Sequence, residues 1–470
     1  MVSTRFVPVL ALAAVATAAV EAMPRVDPAV HRTLRQQGTV NLIVTMKAGT
    51  DSVLNSVQES EFATRGQRIA SLVEELESHS KATQSPVDAL LSKEAGTEQP
   101  LFAASETFWI SNQKYIKEAS PDLLAKLIAM PEIQEIREEL VLPLPKVTAT
   151  AANTTEIRPL ANEWGVTKVG APTVWATGNT GQGVVVGHID SGVRYTHTAL
   201  KSSFRNDGFS WYDPYTRKTT PTDEDGHGTH TLGSIVGSGG VGVAPGAKWI
   251  SCRGCDPEGC TESALLSCAQ FMTCPTNPAG SSKDCSKAPD LVSNSWGGGQ
   301  GDTFYNSAVN AWRSAGIVPI FANGNEGPSC STSSSPGDSA NVIAVGATDS
   351  SDGLAYFSSK GPSVNGVLKP EVSAPGYNVR SASKAGDSSY ELMSGTSMAT
   401  PHVAGVVALL LSAKPSLSVT QVRSALIQGV DTTTLKSTGY RCGSTTDGKF
   451  PNNMYGYGRV NAVKVIAAKV

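Results

Sequence analysis

The chain has 470 residues, 45 of them glycine, with 6% aromatic residues and a formal net charge of −3. This length predicts two or more folded units, and the abundant glycine favours a turn-rich α/β protein over a helical bundle or a coiled coil. The near-neutral charge, without a lysine- or arginine-rich stripe, argues against nucleic acid and membrane surfaces as partners.

Residues 1–22 have the pattern of a secretory signal peptide. Arg5 precedes the apolar run FVPVLALAAVATAAV at 6–20, and Val20 and Ala22 fit the small-residue cleavage pattern. A transmembrane anchor is the alternative, but this run is shorter than the ~20 apolar residues that a span needs. We therefore expect a secreted, extracellular protein.

Residues 23–145 lack cysteine and are poor in glycine, and they predict a small α+β domain. Its expected strands lie at 39–46, 106–119 and 133–144. Its two expected helices lie at 61–82 and 120–130, the second capped by Ser120 with Pro121 in its first position.

Residues 146–160 then have the composition of an exposed linker. This segment contains the only glycosylation sequon of the chain, at Asn153. Because proteolysis favours exposed segments, we also expect any processing site to lie here.

Residues 161–470 alternate between strand and helix patterns, which predicts one large α/β domain around a mostly parallel sheet flanked by helices. Apolar runs typical of strands covered on both faces occur at 183–189, 248–251, 291–295, 317–323 and 342–347. Helices are expected between them, at 261–272 and 303–316.

All eight cysteines lie in this second unit, at Cys252, Cys255, Cys260, Cys268, Cys274, Cys285, Cys330 and Cys442. The CRGC at 252–255 has a spacing that would suit zinc, which makes a metal-binding module the alternative interpretation. No second well-spaced pair with histidines follows, and an even number in a secreted chain favours disulfides. We expect three local bridges within 252–285 and one between Cys330 and Cys442.

Three polar residues stand where predicted strands end or helices begin. Asp190 ends a buried strand, at the edge where α/β proteins gather functional groups. His227 opens a helical run, where the helix dipole disfavours the imidazolium, so we expect a neutral ring. Ser397 lies where a glycine-containing loop enters a long apolar helix. Singly, each has an ordinary role as a turn or cap residue; together they predict a nucleophilic triad.

Such a triad also needs a donor for the developing oxyanion, and Asn325 is placed for it, after a buried strand in a glycine-rich loop. The stretch DEDGHGTHT at 223–231, read alone, would also suit zinc through His227 and His230. No other histidine or cysteine completes a zinc shell, so we predict no metal there. His230 is expected to pack behind His227, and residues 223–225 to form a solvated loop.

The segments HIDSGV, HGTHTLGSIVG, FANGNEG and SGTSMATPHVAG resemble the signature motifs of the subtilisin-like serine peptidases, the subtilases, and most of all the bacillopeptidase-F-like branch. The order Asp, His, Ser is the one known for subtilisin. The resemblance runs from about Trp164 to the C-terminus, and residues 39–144 resemble the inhibitory propeptide of the family.

This resemblance implies a secreted, monomeric serine endopeptidase, made as a zymogen, that cleaves proteins and peptides. Asp190, His227 and Ser397 would form the triad, and Asn325 would donate to the oxyanion. The backbone around Ser295, Trp296 and Gly297 would pair with the substrate as an added strand. The propeptide would act as an intramolecular inhibitor and be cleaved near 144–160.

Two departures from the family pattern and one alternative qualify these expectations. Members with a high-affinity calcium site carry an aspartate nine positions after the catalytic one, where this chain has Ala199. No cofactor is therefore expected to be required, and a structural calcium stays an open alternative.

Glu326 would favour basic residues in the specificity pocket or be a solvated acid. The cysteine-rich insert at 252–285 matches nothing general in the family. A binding protein that keeps the fold without activity is the competing hypothesis.

Overall fold

The computed structural model describes residues 23–58, 62–144 and 162–470. The expected signal peptide, the linker and Asn153 lie outside the described residues. The rest of the chain forms two units, each with its own sheet, and they contact each other over an extended surface.

The N-terminal unit is a five-stranded sheet with helices, and its spatial strand order is β1-β5-β2-β4-β3. The strands are β1 (Arg25–Val26), β2 (Val40–Met46), β3 (Ala104–Phe108), β4 (Gln113–Ala119) and β5 (Ile133–Glu138). The helices are α1 (Pro28–Gln37), α2 (Asp51–Gln58), α3 (Arg65–Ala95) and α4 (Pro121–Ile128). Only β1 and β5 pair in parallel; all other pairs in this sheet are antiparallel.

Three details of this unit correct the expectations. The single strand expected at 106–119 is the hairpin β3–β4, because Asn112 adopts a left-handed conformation (φ 50°) and turns the chain. The helix expected at 61–82 continues through Pro86 to Ala95. Helix α1 was missed, although Asp27 caps its first turn.

Helix α2 was missed as well, while the predicted Ser120 cap of α4 is confirmed by its hydrogen bond from the Leu123 N–H. The strand expected at 133–144 ends at Glu138 and resumes as β6 (Val141–Leu142), which leaves the N-terminal sheet.

The second unit is built on a nine-stranded sheet of order β17-β20-β14-β13-β12-β11-β7-β9-β8, parallel except at β17–β20, which confirms the predicted class. Its strands are β7 (Val185–Asp190), β8 (Trp211–Tyr212), β9 (Lys248–Arg253), β11 (Leu291–Asn294), β12 (Val318–Ala322), β13 (Ile343–Thr348), β14 (Val372–Pro375), β17 (Val430–Asp431) and β20 (Arg459–Val460). Outside this sheet lie β10 (Cys260–Thr261) and two hairpins, β15 (Val379–Ala382) with β16 (Tyr390–Met393) and β18 (Arg441–Cys442) with β19 (Thr445–Thr446).

Helices cover both faces of this sheet. They are α5 (Trp164–Lys168), α6 (Ala171–Trp175), α7 (His227–Val236), α8 (Glu262–Thr273), α9 (Asn306–Ser314), α10 (Thr396–Ala413), α11 (Val419–Gln428) and α12 (Ala462–Ala467). One apolar core contains α7 and α10, and the other contains α8, α9 and part of α3. Within the described ranges, α10 alone has the length and apolarity of a membrane span, and 89% of it is buried inside the fold.

The cysteines pair in the arrangement expected. Three local disulfides join Cys252 to Cys268, Cys255 to Cys260 and Cys274 to Cys285, and a long one joins Cys330 to Cys442. The two cysteines of CRGC therefore have different disulfide partners.

Candidate active site

The three predicted triad residues lie at one end of the parallel sheet. Asp190 is the last residue of β7, His227 the first of α7, and Ser397 the second of α10, and α7 packs against α10. The geometry follows from a general property of parallel sheets, whose strand ends and following helix starts meet at the same edge. All three side chains are buried.

Asp190 and His227 form a direct pair. Nδ1 of His227 lies 2.7 Å from Oδ1 of Asp190, which also accepts the Ser191 N–H at 2.8 Å. The other carboxylate oxygen, Oδ2, accepts from the Thr231 hydroxyl at 3.1 Å. The carboxylate is thus held by donors on both oxygens, which fixes its orientation toward the imidazole.

The charges of the pair shift both pKa values. Burial by itself would raise the pKa of Asp190, but the charge and hydrogen bond of His227 outweigh it and hold this pKa below its ordinary value. Burial would lower the pKa of His227, but Asp190, with smaller effects of Asp225 and Asp223, raises it. Asp190 and its neighbouring carboxylates thus counter the helix end, which by itself favours a neutral ring.

Ser397 does not bond to His227 in this structure. Its hydroxyl donates to the Ser295 carbonyl oxygen at 3.2 Å, and the Ser295 hydroxyl donates to the Ser397 carbonyl oxygen at 2.9 Å. Nε2 of His227 is buried, and no described residue forms a hydrogen bond with it. The pair Asp190–His227 is formed, whereas the link from His227 to Ser397 is not.

Asn325 is anchored beside Ser397 by two hydrogen bonds from Thr396, the residue that precedes Ser397. Oδ1 of Asn325 accepts from the Thr396 N–H at 2.8 Å and from its hydroxyl at 2.9 Å. Because a backbone N–H can only donate, the atom facing it must be the amide oxygen. The amide nitrogen of Asn325 is therefore the end that remains available as a donor.

A cavity of about 430 Å³ lies next to Asn325. Trp296 and Gly297, two of the three predicted substrate-binding residues, line it, while Ser295 lies behind them against Ser397. Glu326 also lines the cavity, and its Oε2 accepts from the hydroxyls of Ser334 and Ser359 at 2.8 and 2.9 Å.

The end of the N-terminal unit forms part of the wall of this cavity. Strand β6 pairs antiparallel with β10, with Leu142 opposite Cys260, and residues 142–144 line the cavity wall. Leu142 is buried, and its side chain faces Gly298, where a Cβ would lie 3.3 Å from it. The sequence predicts strand pairing with the substrate at 295–297. The pairing of β10 with β6 was not predicted, because β10 is only two residues long.

Polar contacts extend the interface between the two units. Arg137 pairs with Glu262, which is fully buried and also accepts the Leu140 N–H at 3.0 Å. Burial raises the pKa of Glu262, with Arg137 acting against it. The Ser263 N–H donates to Glu139 at 3.1 Å. These partners are more than 120 residues apart in the chain, so no local signal identifies them.

His230 packs behind the site as predicted. It is fully buried, and its Nε2 lies 3.0 Å from the Val379 carbonyl oxygen. Burial lowers its pKa to about 3. A neutral His230 thus supports the fold and does not share the proton chemistry of His227.

The expectation of a solvated loop at 223–225 is wrong for Asp223. Its carboxylate accepts from the Ser191 hydroxyl at 2.9 Å and from the backbone N–H groups of Gly226 and Thr229 at 2.7 and 2.9 Å. Asp223 therefore holds the first turn of α7 against the loop after β7. An aspartate just ahead of a helix is a capping signal that was present in the sequence.

Position 199, where the family resemblance would place a calcium ligand, is an alanine. Ala199 is buried, offers no side-chain oxygen, and its carbonyl accepts the Ser238 N–H at 2.9 Å. Within the described ranges, no group of three or more His, Cys, Asp and Glu side chains could hold a metal ion.

Comparison with known proteins identifies a family and several relatives of this chain. The Subtilase family model matches residues 181–458. Bacillopeptidase F of Bacillus subtilis (strain 168) is 36% identical over 376 residues, covering 74% of this chain and 25% of that protein. Serine protease AprX of the same strain is 37% identical over 290 residues, covering 54% of this chain and 62% of the relative. Subtilisin DY of Bacillus licheniformis is 36% identical over 270 residues, with coverages of 56% and 89%. The chain thus spans about a quarter of Bacillopeptidase F.

Proposed function

Because the chain belongs to the subtilase family of serine peptidases, we propose that it is an endopeptidase that cleaves proteins through Asp190, His227 and Ser397. The observation that carries this proposal is the buried contact of 2.7 Å between Asp190 and His227, at the sheet end where Ser397 begins α10. This arrangement provides a base, an acid that orients it, and a nucleophile at a helix N-terminus.

The proposed reaction begins when the Ser397 hydroxyl leaves the Ser295 carbonyl and gives its proton to Nε2 of His227. Oγ then attacks the substrate carbonyl carbon, and the Asn325 amide donates to the resulting oxyanion. The imidazolium, stabilised by Asp190, protonates the leaving amine, and an acyl-enzyme remains. Water activated by His227 releases the second product. The raised pKa of His227 supports the imidazolium stage.

We propose further that residues 23–145 are an inhibitory propeptide. Support comes from Leu142, Pro143 and Leu144, which line the cavity beside Asn325, and from the buried pair of Arg137 with Glu262. Cleavage in the linker would separate this unit from the peptidase. The signal-peptide pattern supports secretion, and Asn153 would then be glycosylated. We expect the mature enzyme to be a monomer that requires no cofactor.

Labelling with a biotinylated organophosphonate tests the function. The propeptide-free protein should be labelled on Ser397, and Ser397→Ala should abolish labelling and lower turnover by roughly 10⁶-fold. Ser394→Ala is the matched control, since this serine lies three positions away and its hydroxyl accepts from the Asn378 N–H. An unlabelled wild-type protein would favour the inactive binding protein, which the bond from Ser397 to Ser295 also permits.

A further inference from the structure

Three polar side chains are buried near Oδ2 of Asp190, the carboxylate oxygen that does not accept from His227. They are His188, Thr231 and Ser251, and each is 1% exposed or less. His188 lies two residues before Asp190 on β7, so both side chains are on the same face of the sheet. Its in-register neighbours, Ser251 on β9 and Ser293 on β11, are also polar.

Hydrogen bonds connect this group to the catalytic carboxylate. Nδ1 of His188 lies 3.0 Å from the Ser251 hydroxyl, and Nε2 lies 2.9 Å from the Thr231 hydroxyl. The Thr231 hydroxyl in turn lies 3.1 Å from Oδ2 of Asp190. A continuous chain of contacts therefore runs from Ser251 to Asp190.

The number of hydrogens on each group decides which atom donates in each of these hydrogen bonds. An ionised carboxylate only accepts, so Thr231 donates its single hydroxyl hydrogen to Asp190. The Gly228 carbonyl, 3.2 Å away, is a competing acceptor, but it is neutral and gives the weaker bond. The Thr231 oxygen then accepts from Nε2–H of His188, and Nδ1 accepts from the Ser251 hydroxyl.

We propose that His188 is a positioning residue for the catalytic aspartate, acting through Thr231. By fixing the Thr231 hydroxyl as a donor, it holds Oδ2 of Asp190 and keeps Oδ1 directed at Nδ1 of His227. This inference rests on the proposed function, because it assigns His188 a role in orienting the triad.

A neutral His188 agrees with these donor and acceptor roles. Burial lowers its pKa, with Asp190 and Asp223 acting against burial and His227 adding to it. Nε2 of His188 also lies 3.7 Å from Oδ2 of Asp190. The hydrogen-bonded groups from α7 and β9 are hydroxyls, which suit a neutral ring with one donor and one acceptor nitrogen.

The arrangement is unusual for a residue that only fills the core. An apolar side chain at position 188 would pack between strands without needing partners, whereas the histidine requires two hydroxyls from two other elements. Buried polar groups of this kind are retained with a complete set of partners, and here the last partner is the catalytic carboxylate.

The test compares His188→Val and Thr231→Val with the conservative variants His188→Gln and Thr231→Ser. Steady-state kinetics on a peptide p-nitroanilide give kcat and KM, and the acid limb of kcat/KM against pH reports protonation of His227. Ser234→Ala is the matched control, because it removes a buried hydroxyl of α7 that bonds to the His230 carbonyl and not to Asp190.

We expect both valine variants to lower kcat by about 10- to 100-fold with KM little changed, the range that loss of an orienting partner of a metal ligand causes. The acid limb should move to higher pH in both variants. In Thr231→Val, Oδ2 of Asp190 loses its donor, and in His188→Val the Thr231 hydroxyl is free to turn to the Gly228 carbonyl oxygen. Either change makes the carboxylate stabilise the His227 imidazolium more strongly. The conservative variants should recover most of kcat, and Ser234→Ala should leave the acid limb in place.

An unmoved acid limb and unchanged kcat in Thr231→Val would overturn the inference, even if His188→Val does not fold. A lowered unfolding midpoint with an unmoved limb would also overturn it, since that result describes a purely structural role. Failure of the proposed function is distinguishable, because the wild-type protein would then be neither labelled by the phosphonate nor active.

Discussion

The side-chain oxygen of Asn325 is held by both the N–H and the hydroxyl of Thr396, the residue directly before the proposed nucleophile. This contact leaves the Asn325 amide nitrogen as the donor at the cavity edge. We expect Asn325→Leu to lower kcat by about 10²- to 10³-fold with KM little changed, because the lost bond forms with the oxyanion and not with the ground state. Steady-state kinetics on a peptide substrate measure this. Asn341→Leu, at an exposed position, is the control, and an unaltered kcat in Asn325→Leu would remove this residue from the mechanism.

Under the proposed function, the ion pair of Arg137 with Glu262 should determine how tightly the N-terminal unit inhibits the peptidase. Replacing one partner of a buried pair costs about 3–5 kcal/mol, because the other charge is left buried without compensation. We therefore expect Arg137→Met to raise the inhibition constant of a 23–144 polypeptide by about 10²-fold or more, measured by titration against the mature enzyme. Arg25→Met is the control, since Arg25 is exposed and pairs with Glu135 inside the same unit. Equal inhibition by both variants would contradict the proposed interface.

The disulfides should differ in their contribution to stability according to the chain they enclose. Cys330 and Cys442 are 112 residues apart, whereas Cys255 and Cys260 are separated by 5. Loop-closure entropy predicts losses of about 5 and about 2 kcal/mol in the free energy of unfolding when each pair is replaced by serine. Urea unfolding in a Ser397→Ala background, which prevents autolysis, measures both. A larger loss for the short bridge would show that native contacts, and not chain entropy, dominate.

Buried histidines should make the fold sensitive to acid. Burial lowers the pKa of His230 to about 3 and that of His402 to about 4, from an ordinary value of 6.5. The unfolded chain therefore binds more protons below about pH 6.5, and stability falls as the pH decreases from there toward the folded values. For His402 alone, the free energy of unfolding is about 2 kcal/mol lower at pH 5 than at neutral pH.

Unfolding midpoints of Ser397→Ala at pH 7.5 and 5 check this sensitivity. Adding His402→Gln should flatten the dependence, while His31→Gln, at an exposed position, should preserve it. His227 has the opposite sign: its raised pKa contributes stability that is lost as the pH rises through the folded value. Identical midpoints at the two pH values would contradict the assignment of neutral buried histidines.

Part of the candidate site could be read from short segments. Asp190, His227 and Ser397 each follow a strand or open a helix, and such positions carry local signals in capping residues, glycines and apolar runs. Asp223 has a capping signal as well, but a run of three consecutive acidic residues equally predicts a solvated loop. His188 was equally visible in GVVVGHI, but an isolated polar residue inside an apolar run has no assigned partner until the neighbouring elements are known.

The family motifs, the alternation of strands and helices and the residues available for catalysis can be read from the sequence alone, because they depend on interactions within a few positions of the chain. Which of these groups meet depends on the tertiary structure. Ser251, Thr231 and His188 lie on β9, α7 and β7, and Leu142 reaches the cavity through a pairing with Cys260, 118 residues further along. Strand register and helix packing set these contacts, and with them the orientation of Asp190, the hydrogen bond of Ser397 to Ser295 and the raised pKa of His227.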